Sequence, residues 1–431
     1  MAPTEVLPAR DPTTCILSRL AVQPQTDADV NPLAPEVRER TWQWARPQVE
    51  GPCPCPRGGH TATLVHPRKG AAKIFVFGGS YDSGSSHGGQ GFVYLNDTFV
   101  LDIDANKWTS PSCRGTVPEA RYGHSAALVG SRVVYFGGKG KGQYFRDLHA
   151  LDTDSLTWFQ GPASGGAPSN RYGHTATLQG TRLFVFGGAC GMRFFEDLHC
   201  LDLASMAWSS PATEGPKPAA RYGHAALLIG DSLLVHGGFS LPSPEIAAKD
   251  NSGELMKACY RDDLRVLDLN KMIWSRLRIH GSPPTGRFGH TMLLSDDDIV
   301  MFGGWDGSRK ESAAVAFSMK EKTRGDEGGR AGEETCDYCM TLRTADMQWS
   351  RNRYIGSAPC RRYGHSVTAI GPHVIVFGGW DGGKPLNDVI VLRDSSVVDS
   401  QDEATDFDVP PNPDGDAEAA TGFDMDDGYG T

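Results

Sequence analysis

Short apolar runs recur along the chain at regular intervals, with polar and glycine-rich segments between them. One group reads HSAALVG, RVVYFGG, LHALD and LTW between His124 and Trp158, with turn residues at Thr153–Ser155. Short runs of this kind, bounded by turn residues, are typical of strands. The pattern therefore predicts four short antiparallel strands. The run Val133–Phe136 is apolar at every position, which indicates a sheet that is covered on both faces.

This unit occurs six times, and each copy has an arginine, then a glycine and a histidine, and later a Gly-Gly pair. Repetition of this kind predicts an array of similar structural units. The arginines are Arg57, Arg121, Arg171, Arg221, Arg287 and Arg362. The histidines are His60, His124, His174, His224, His290 and His365.

A tryptophan lies thirteen residues before each of these arginines. The six residues are Trp44, Trp108, Trp158, Trp208, Trp274 and Trp349. The sixth unit has no tryptophan after its histidine, whereas Trp44 precedes the first unit at the repeat distance. We therefore expect an N-terminal strand around Thr41–Ala45 to complete the last sheet and to close a ring.

The recurring Arg-Tyr-Gly-His, Gly-Gly and tryptophan resemble the kelch repeat from about Thr41 to Arg393. The resemblance implies an all-β fold, a kelch β-propeller, and the six units predict six blades. Radial stacking covers both faces of each sheet and protects the strand edges. The expected parts are an N-terminal extension (1–40), the propeller (41–393) and an acidic, disordered C-terminal tail (394–431).

The charge of the chain is concentrated at one end. The segment from Arg393 to Thr431 contains twelve acidic residues and a single base, whereas the whole chain has a net charge of −10, so the propeller is nearly neutral. A nucleic-acid partner is not expected, because no basic face is indicated. No apolar run approaches the length of a membrane span. We expect no secretory signal, so the ten cysteines are expected to be reduced in a cytoplasmic or nuclear protein.

Catalytic and metal chemistry receive little support. Neighbouring sheets pack about 10 Å apart, too far for one metal to collect the repeat histidines. A structural role is therefore expected for the six histidines and for the six tryptophans. Cys336 and Cys339 have zinc-knuckle spacing, but one such pair supplies only two ligands, so buried thiols are favoured over a metal site. No phosphate-binding loop and no nucleophile elbow occurs. We expect no enzyme activity, no cofactor and no metal.

The candidate binding residues lie on the face that carries the connection between the second and third strand of each blade. In kelch substrate receptors this face binds peptides, and arginines at matching places hold acidic groups. The six repeat arginines are therefore one hypothesis, and internal pairing with Asp147, Asp197 and Asp263 is the alternative. Aromatic residues at the loop roots are the second set of candidates. These residues are Tyr144, Phe194, Trp305 and Trp380.

The sequence thus predicts a non-enzymatic, monomeric adaptor or scaffold that binds a protein or an acidic peptide on its loop face. The alternative is a substrate-recognition subunit of a ubiquitin ligase that acts through a separate partner, because the forty residues before the propeller are too few for a BTB or F-box domain. An enzyme is the third and least favoured class.

Overall fold

The computed structural model describes residues 41–67, 70–83, 91–241, 259–307, 334–355 and 359–395, with the backbone alone for 334–338. The predicted N-terminal extension and the predicted tail beyond Ser395 lie outside these residues. Within them the chain forms strands and turns only. The described residues contain no helix whose length and apolar character would let it cross a membrane.

The strands are short, and most are five to ten residues long. The first fifteen are β1 (Thr41–Ala45), β2 (Thr61–Val65), β3 (Lys73–Phe77), β4 (Ser80–Asp82), β5 (Phe92–Tyr94), β6 (Thr98–Asp102), β7 (Lys107–Thr109), β8 (Arg114–Gly115), β9 (Ser125–Val129), β10 (Arg132–Gly140), β11 (Gln143–Asp152), β12 (Thr157–Gln160), β13 (Ser164–Gly165), β14 (Thr175–Gln179) and β15 (Arg182–Phe186). The others are β16 (Ala189–Cys190), β17 (Arg193–Phe194), β18 (Leu198–Asp202), β19 (Ala207–Ser209), β20 (Ala225–Ile229), β21 (Ser232–His236), β22 (Leu264–Asp268), β23 (Ile273–Arg276), β24 (Phe288–Ser295), β25 (Asp298–Trp305), β26 (Glu334–Arg343), β27 (Gln348–Ile355), β28 (Ser366–Ile370), β29 (His373–Trp380) and β30 (Pro385–Asp394).

The main strands form antiparallel groups of four, which we number as blades. Blade 1 is β2-β3-β6-β7, blade 2 is β9-β10-β11-β12, blade 3 is β14-β15-β18-β19 and blade 4 is β20-β21-β22-β23. Blade 5 is β24-β25-β26-β27, and blade 6 is β28-β29-β30-β1. The first strands of the blades contact one another in a closed circle from β2 through β9, β14, β20, β24 and β28 back to β2. The predicted all-β propeller is confirmed.

The N-terminal strand β1 closes the ring, as its spacing predicted. It pairs antiparallel with β30, so that Trp44 lies opposite Leu392, and parallel with the end of β27, so that Trp42 lies opposite Tyr354. In blade 2, Trp158 lies opposite Leu151 in the same way. Trp44 is therefore the repeat tryptophan of blade 6. As a result, blades 5 and 6 form one continuous sheet.

Each pair of neighbouring blades shares a hydrophobic cluster, so the core is a ring of interfaces. Each repeat tryptophan packs on the residue that precedes Gly-Gly in the preceding blade, as Trp158 does on Phe77 with ring centroids 4.8 Å apart. Trp44 makes the same contact with Phe302 at 5.6 Å. Trp42, two residues earlier on the same face of β1, is fully buried in this cluster. The strand thus inserts two indoles between blades 5 and 6.

A closed ring of backbone hydrogen bonds lies at the axis. The glycine before each repeat histidine donates its N–H to the carbonyl of the equivalent glycine in the preceding blade, at 2.7 or 2.8 Å. The six residues are Gly59, Gly123, Gly173, Gly223, Gly289 and Gly364. Each has a positive φ between 62° and 67°, a conformation that favours glycine. Bonds arranged in such a ring polarise one another.

The buried repeat histidines connect neighbouring blades. In five repeats Nε2 lies 2.8–3.1 Å from a serine or threonine hydroxyl that follows the histidine of the preceding blade, as for His124 and Thr61. In the remaining repeat the preceding blade has Ala225, and Nε2 of His290 lies 3.0 Å from Nδ1 of His236. The position equivalent to His236 is phenylalanine in the other five repeats. His236 therefore replaces both the aromatic ring and the missing hydroxyl.

This replacement predicts a compensating pair of substitutions. Burial lowers the pKa of His236 to about 3, so it stays neutral and shares a hydrogen bond with His290. His236→Phe should lower the free energy of unfolding by about 1–3 kcal/mol, because His290 then loses its partner. Adding Ala225→Ser should restore most of this loss, since it recreates the arrangement of the other repeats. Urea denaturation of the two single variants and of the double variant measures this coupling; a double variant as unstable as His236→Phe alone would contradict it.

Candidate functional site

The six repeat arginines lie inside the blades. Their exposure is 0–3%, and five of them hold an aspartate of the same blade with both terminal nitrogens. Arg121, for example, reaches Asp147 at 2.6 and 2.9 Å and also donates to the carbonyls of Glu119 and Gly137. The sixth, Arg287, donates to Thr285 and to the carbonyl of Gly303. Their burial does not agree with a partner-binding role and favours the alternative of internal pairing.

The carboxylates of Asp147, Asp197 and Asp263 are held in the charged form. Burial raises the pKa of Asp147, but hydrogen bonds from Arg121 and His149 outweigh it and bring that pKa well below its usual range. Asp197 has the same arrangement with Arg171 and His199. These three ion pairs are therefore complete at neutral pH, and the guanidinium groups of Arg121, Arg171 and Arg221 are neutralised inside their own blades.

A cavity of about 650 Å³ opens on the loop face, above the axial glycine ring. Its wall consists of aromatic residues that directly follow the repeat arginines, together with aromatic residues of blades 1 and 6. These residues are Tyr122, Tyr172, Tyr222, Phe288, Tyr363, Trp380, Phe92 and Tyr94. Successive rings from Tyr122 to Tyr363 lie 5.4–5.9 Å apart, centre to centre. The cavity is thus a largely apolar cup with tyrosine hydroxyls.

Blade 1 departs from this pattern because Gly58 stands where the other repeats have tyrosine or phenylalanine. The indole of Trp380, from blade 6, fills that space: a Cβ atom at position 58 would lie only 2.1 Å from its Cδ1. Phe92 packs on the same indole at 6.0 Å. Trp380 therefore completes the aromatic wall.

The residue after each Gly-Gly pair bridges to the residue after the repeat arginine, and in blades 1, 2 and 6 it lines the cavity. Around the ring these residues are Ser80, Lys139, Ala189, Phe239, Trp305 and Trp380. Blades 1–3 thus carry small or charged residues at this position, and blades 4–6 carry aromatic residues. The cup is therefore asymmetric around the axis.

Lys139 gives one side of the cup a positive charge. Its ammonium lies 5.5–5.9 Å from the ring centres of Tyr122, Tyr144 and Tyr172, within the range of cation–π attraction. In the described part of the chain no carboxylate pairs with it. Among the described residues that line the cavity, Lys139 is the only cation, and Asp82 is the only carboxylate.

The tyrosine hydroxyls of the cup stay protonated. Burial raises the pKa of Tyr122 and Tyr172 well above the usual value, and neighbouring tyrosines add to this effect. Burial also raises the pKa of Tyr222 and Tyr363. These hydroxyls can therefore donate hydrogen bonds to a bound anion beside Lys139.

The predicted loop-root aromatics lie around the cup in a second tier. Tyr144 packs on Tyr172 at 5.7 Å, Phe194 on Tyr222 at 5.3 Å and Trp305 on Tyr363 at 5.7 Å. They support the inner tyrosines, whereas Trp380 itself lines the cavity. The structure thus assembles the four candidates on one face.

Sequence reasoning missed the inner aromatic ring, although the tyrosine of Arg-Tyr-Gly-His recurs in phase with the arginine. A periodic aromatic residue between the repeat arginine and the repeat glycine is a usable signal. It also missed Lys139, which stands out only when the six residues after Gly-Gly are compared. Cys339 is fully buried at a core position, as expected, whereas the side chain of Cys336 lies outside the described residues.

The closed ring of sheets with a cup at its axis defines this chain as a β-propeller. A model described as the KLHDC2/KLHL20/DRC7 Kelch-repeats domain matches residues 36–238, and a model described as the Kelch motif matches residues 361–394. The chain belongs to the kelch-repeat family. Kelch propellers are typically protein-interaction modules and are generally non-enzymatic.

Individual relatives resemble only part of this chain. It is 33% identical over 96 residues to host cell factor 2 of Homo sapiens, covering 22% of this chain and 11% of that protein. It is 30% identical over 162 residues to acyl-CoA-binding domain-containing protein 4 of Arabidopsis thaliana, covering 31% and 24%. Kelch domain-containing protein 3 of Mus musculus is 33% identical over 96 residues, covering 22% of each chain. The match thus spans at most about a quarter of these relatives.

A solved structure shows the same fold. The structure of YjhT has a TM-score of 0.53 with this chain and 17% sequence identity, and the alignment covers 78% of this chain and 95% of that one.

Proposed function

We propose that the chain is a non-enzymatic protein-interaction module that takes an acidic segment of a partner protein into the aromatic cup. The observation that carries this proposal is Lys139, an ammonium inside a largely apolar cavity. Other repeats form the same backbone bridge with serine, alanine or an aromatic residue at this position, so the fold does not require the charge.

A carboxylate bound beside Lys139 would gain both a charge pair and hydrogen-bond donors inside the cup. The ammonium of Lys139 provides the charge, and Tyr122 and Tyr172, whose ring centres lie 5.9 and 5.7 Å from it, carry protonated hydroxyls that can donate hydrogen bonds. Charge pairs of this kind, when desolvated at an interface, mainly slow dissociation. The surrounding rings supply apolar contact to the rest of the segment.

Exposed apolar side chains occur on the same face as the cup. Phe92 of blade 1 is 47% exposed, and Met192, at the hairpin tip of blade 3, is 78% exposed. Both lie in connections between the second and third strand of their blades, on the face that carries the cavity mouth. Phe92 also lines the cavity, so a segment bound in the cup would contact an exposed apolar side chain there.

The test removes the charge without changing the fold. Lys139→Met keeps the length of the side chain, and Lys141→Met, at the exposed tip of the same hairpin, is the matched control. We expect Lys139→Met to weaken capture of the main partner about tenfold or more, because a close interfacial charge pair is lost. Quantitative affinity purification followed by mass spectrometry measures the loss for each variant.

Thermal unfolding serves as the control for folding, and both variants should melt at the wild-type temperature. Capture by Lys141→Met should equal that of the wild type. If folded Lys139→Met retained the partner at the wild-type level, the acidic anchor in the cup would be rejected.

A further inference from the structure

The part of the cup wall formed by blades 6 and 1, which adjoins the tyrosines under Lys139, is aromatic, and none of the described residues that line it is a cation. Trp380 and Phe92 pack at 6.0 Å, and Tyr94, two residues from Phe92 on β5, shares its face and packs on Tyr122 at 5.8 Å. All three line the cavity, as does Asp82, the register partner of Phe92.

Two adjoining parts of the cup wall differ in what covers their rings. Lys139 covers Tyr122, Tyr144 and Tyr172 on one side. Within the described ranges, no lysine or arginine lies over Trp380, Phe92 or Tyr94. The tyrosines of this cup thus accept an ammonium, and within the described ranges the neighbouring rings of Trp380, Phe92 and Tyr94 are not covered by one.

We propose that Trp380, Phe92 and Tyr94 form a subsite for a quaternary ammonium group, supplied by a trimethylated lysine of the partner protein. This inference rests on the proposed function, since it assigns a second group of the same bound segment. Indole is the best aromatic partner for a cation, and Asp82 adds a negative charge to the same wall. Lys139 and this subsite would together fix the direction of the segment, with its acid towards blade 2 and its cation towards blades 6 and 1.

Methylation suits this wall better than a bare ammonium does. A lysine ammonium is strongly hydrated and has three N–H donors, which aromatic faces do not satisfy. A trimethylammonium group has no N–H to leave unpaired, and its methyl groups pack against the rings while the charge is retained. The subsite should therefore prefer trimethyllysine to lysine.

The binding step can be measured without knowing the partner. We propose titrating the full chain, labelled with ¹⁵N at tryptophan, with tetramethylammonium chloride, and with neopentyl alcohol as a neutral probe of similar shape. The indole resonance of Trp380 is assigned by its loss in Trp380→Leu. Tetramethylammonium should shift this resonance saturably, and neopentyl alcohol should not. Equal shifts by both probes, or no shift by tetramethylammonium, would overturn the proposal.

Substitutions that remove a ring test whether the aromatic faces, and not apolar contact alone, bind tetramethylammonium. Phe92→Leu and Tyr94→Leu keep apolar volume but remove a ring, and each should weaken tetramethylammonium binding several-fold, up to about tenfold. Phe159→Leu is the matched control, because Phe159 is 46% exposed on the outer strand of blade 2. Unchanged binding in both Phe92→Leu and Tyr94→Leu would also overturn the subsite.

A final comparison separates this inference from the proposed function. Lys139→Met should weaken partner capture but should not weaken tetramethylammonium binding, because it removes a positive charge from the neighbouring tyrosines. Trimethyllysine should bind more tightly than lysine in the same titration; equal binding would reject the preference for methylation. Normal tetramethylammonium binding combined with undiminished partner capture by Lys139→Met would reject the acidic anchor and keep the cation subsite.

Discussion

Replacing Trp42 by alanine should lower the free energy of unfolding by about 3–5 kcal/mol, the usual cost of removing a large buried aromatic side chain. Trp42 is fully buried between blades 5 and 6, and Trp44→Ala should have a similar but smaller effect because Trp44 is only partly buried. Gln43→Ala is the matched control, since Gln43 lies between them on β1 and is exposed. Its effect should stay within about 0.5 kcal/mol.

Deleting residues 1–48 should extend this effect to the whole ring. Without β1, the edges of β27 and β30 lose their partner strand, and unpaired edges promote aggregation. Thermal unfolding and light scattering measure the two consequences. A truncated chain that stays monomeric and melts with the full-length protein would contradict closure by β1.

Replacing Arg121 by methionine should lower the free energy of unfolding by about 3–5 kcal/mol, because it leaves the carboxylate of Asp147 without its buried partner. Arg132→Met is the matched control: Arg132 is 60% exposed, and its ion pair with Asp152 should contribute no more than about 1 kcal/mol. Urea denaturation at neutral pH measures both variants.

The difference in the free energy of unfolding between wild type and Arg121→Met should decrease at low pH. The folded pKa of Asp147 lies below its ordinary value of 3.8, so the pair stabilises the fold fully above that value and progressively less as the pH falls through the folded pKa. The deficit of the variant should therefore shrink below about pH 4. If Arg121→Met kept the wild-type stability but no longer bound the partner protein, the repeat arginines would have to be assigned to the binding site.

The strands and the closure of the ring could be predicted because the repeat keeps its phase. Trp44 lies at the repeat distance from Arg57, and this spacing alone places β1 beside β30. Trp42 was missed, although the two-residue period of a strand puts it on the same face as Trp44. Its environment includes Tyr354 of blade 5, and that contact appears only once β1 pairs with two blades.

Whether the repeat arginines point into the blades or towards a partner could not be predicted from their spacing. Arg121 and Asp147 are 26 residues apart, whereas Arg57 and Asp97 are 40 apart, because the connections between strands differ in length. Only the pairing of strands brings each carboxylate to its guanidinium. A buried bidentate pair and an exposed binding arginine therefore look the same in the sequence.

The cup was hidden for a related reason. Its wall combines Tyr172, which follows a repeat arginine, with Trp380 and Phe92, which come from connections of other blades. No single repeat contains the site. The replacement of a missing tyrosine at Gly58 by Trp380 of the neighbouring blade depends on the ring being closed.

Photo-crosslinking from inside and outside the cup tests the central claim most directly. Phe92 lines the cup and Phe159 lies on the outer strand of blade 2, yet their exposures are 47% and 46%, so a benzophenone amino acid at either position is equally accessible to solvent. We predict that the partner is crosslinked from position 92 and not from position 159, and that Lys139→Glu abolishes the adduct. A partner crosslinked only from position 159, or from position 92 regardless of Lys139, would contradict binding of an acidic segment in the cup.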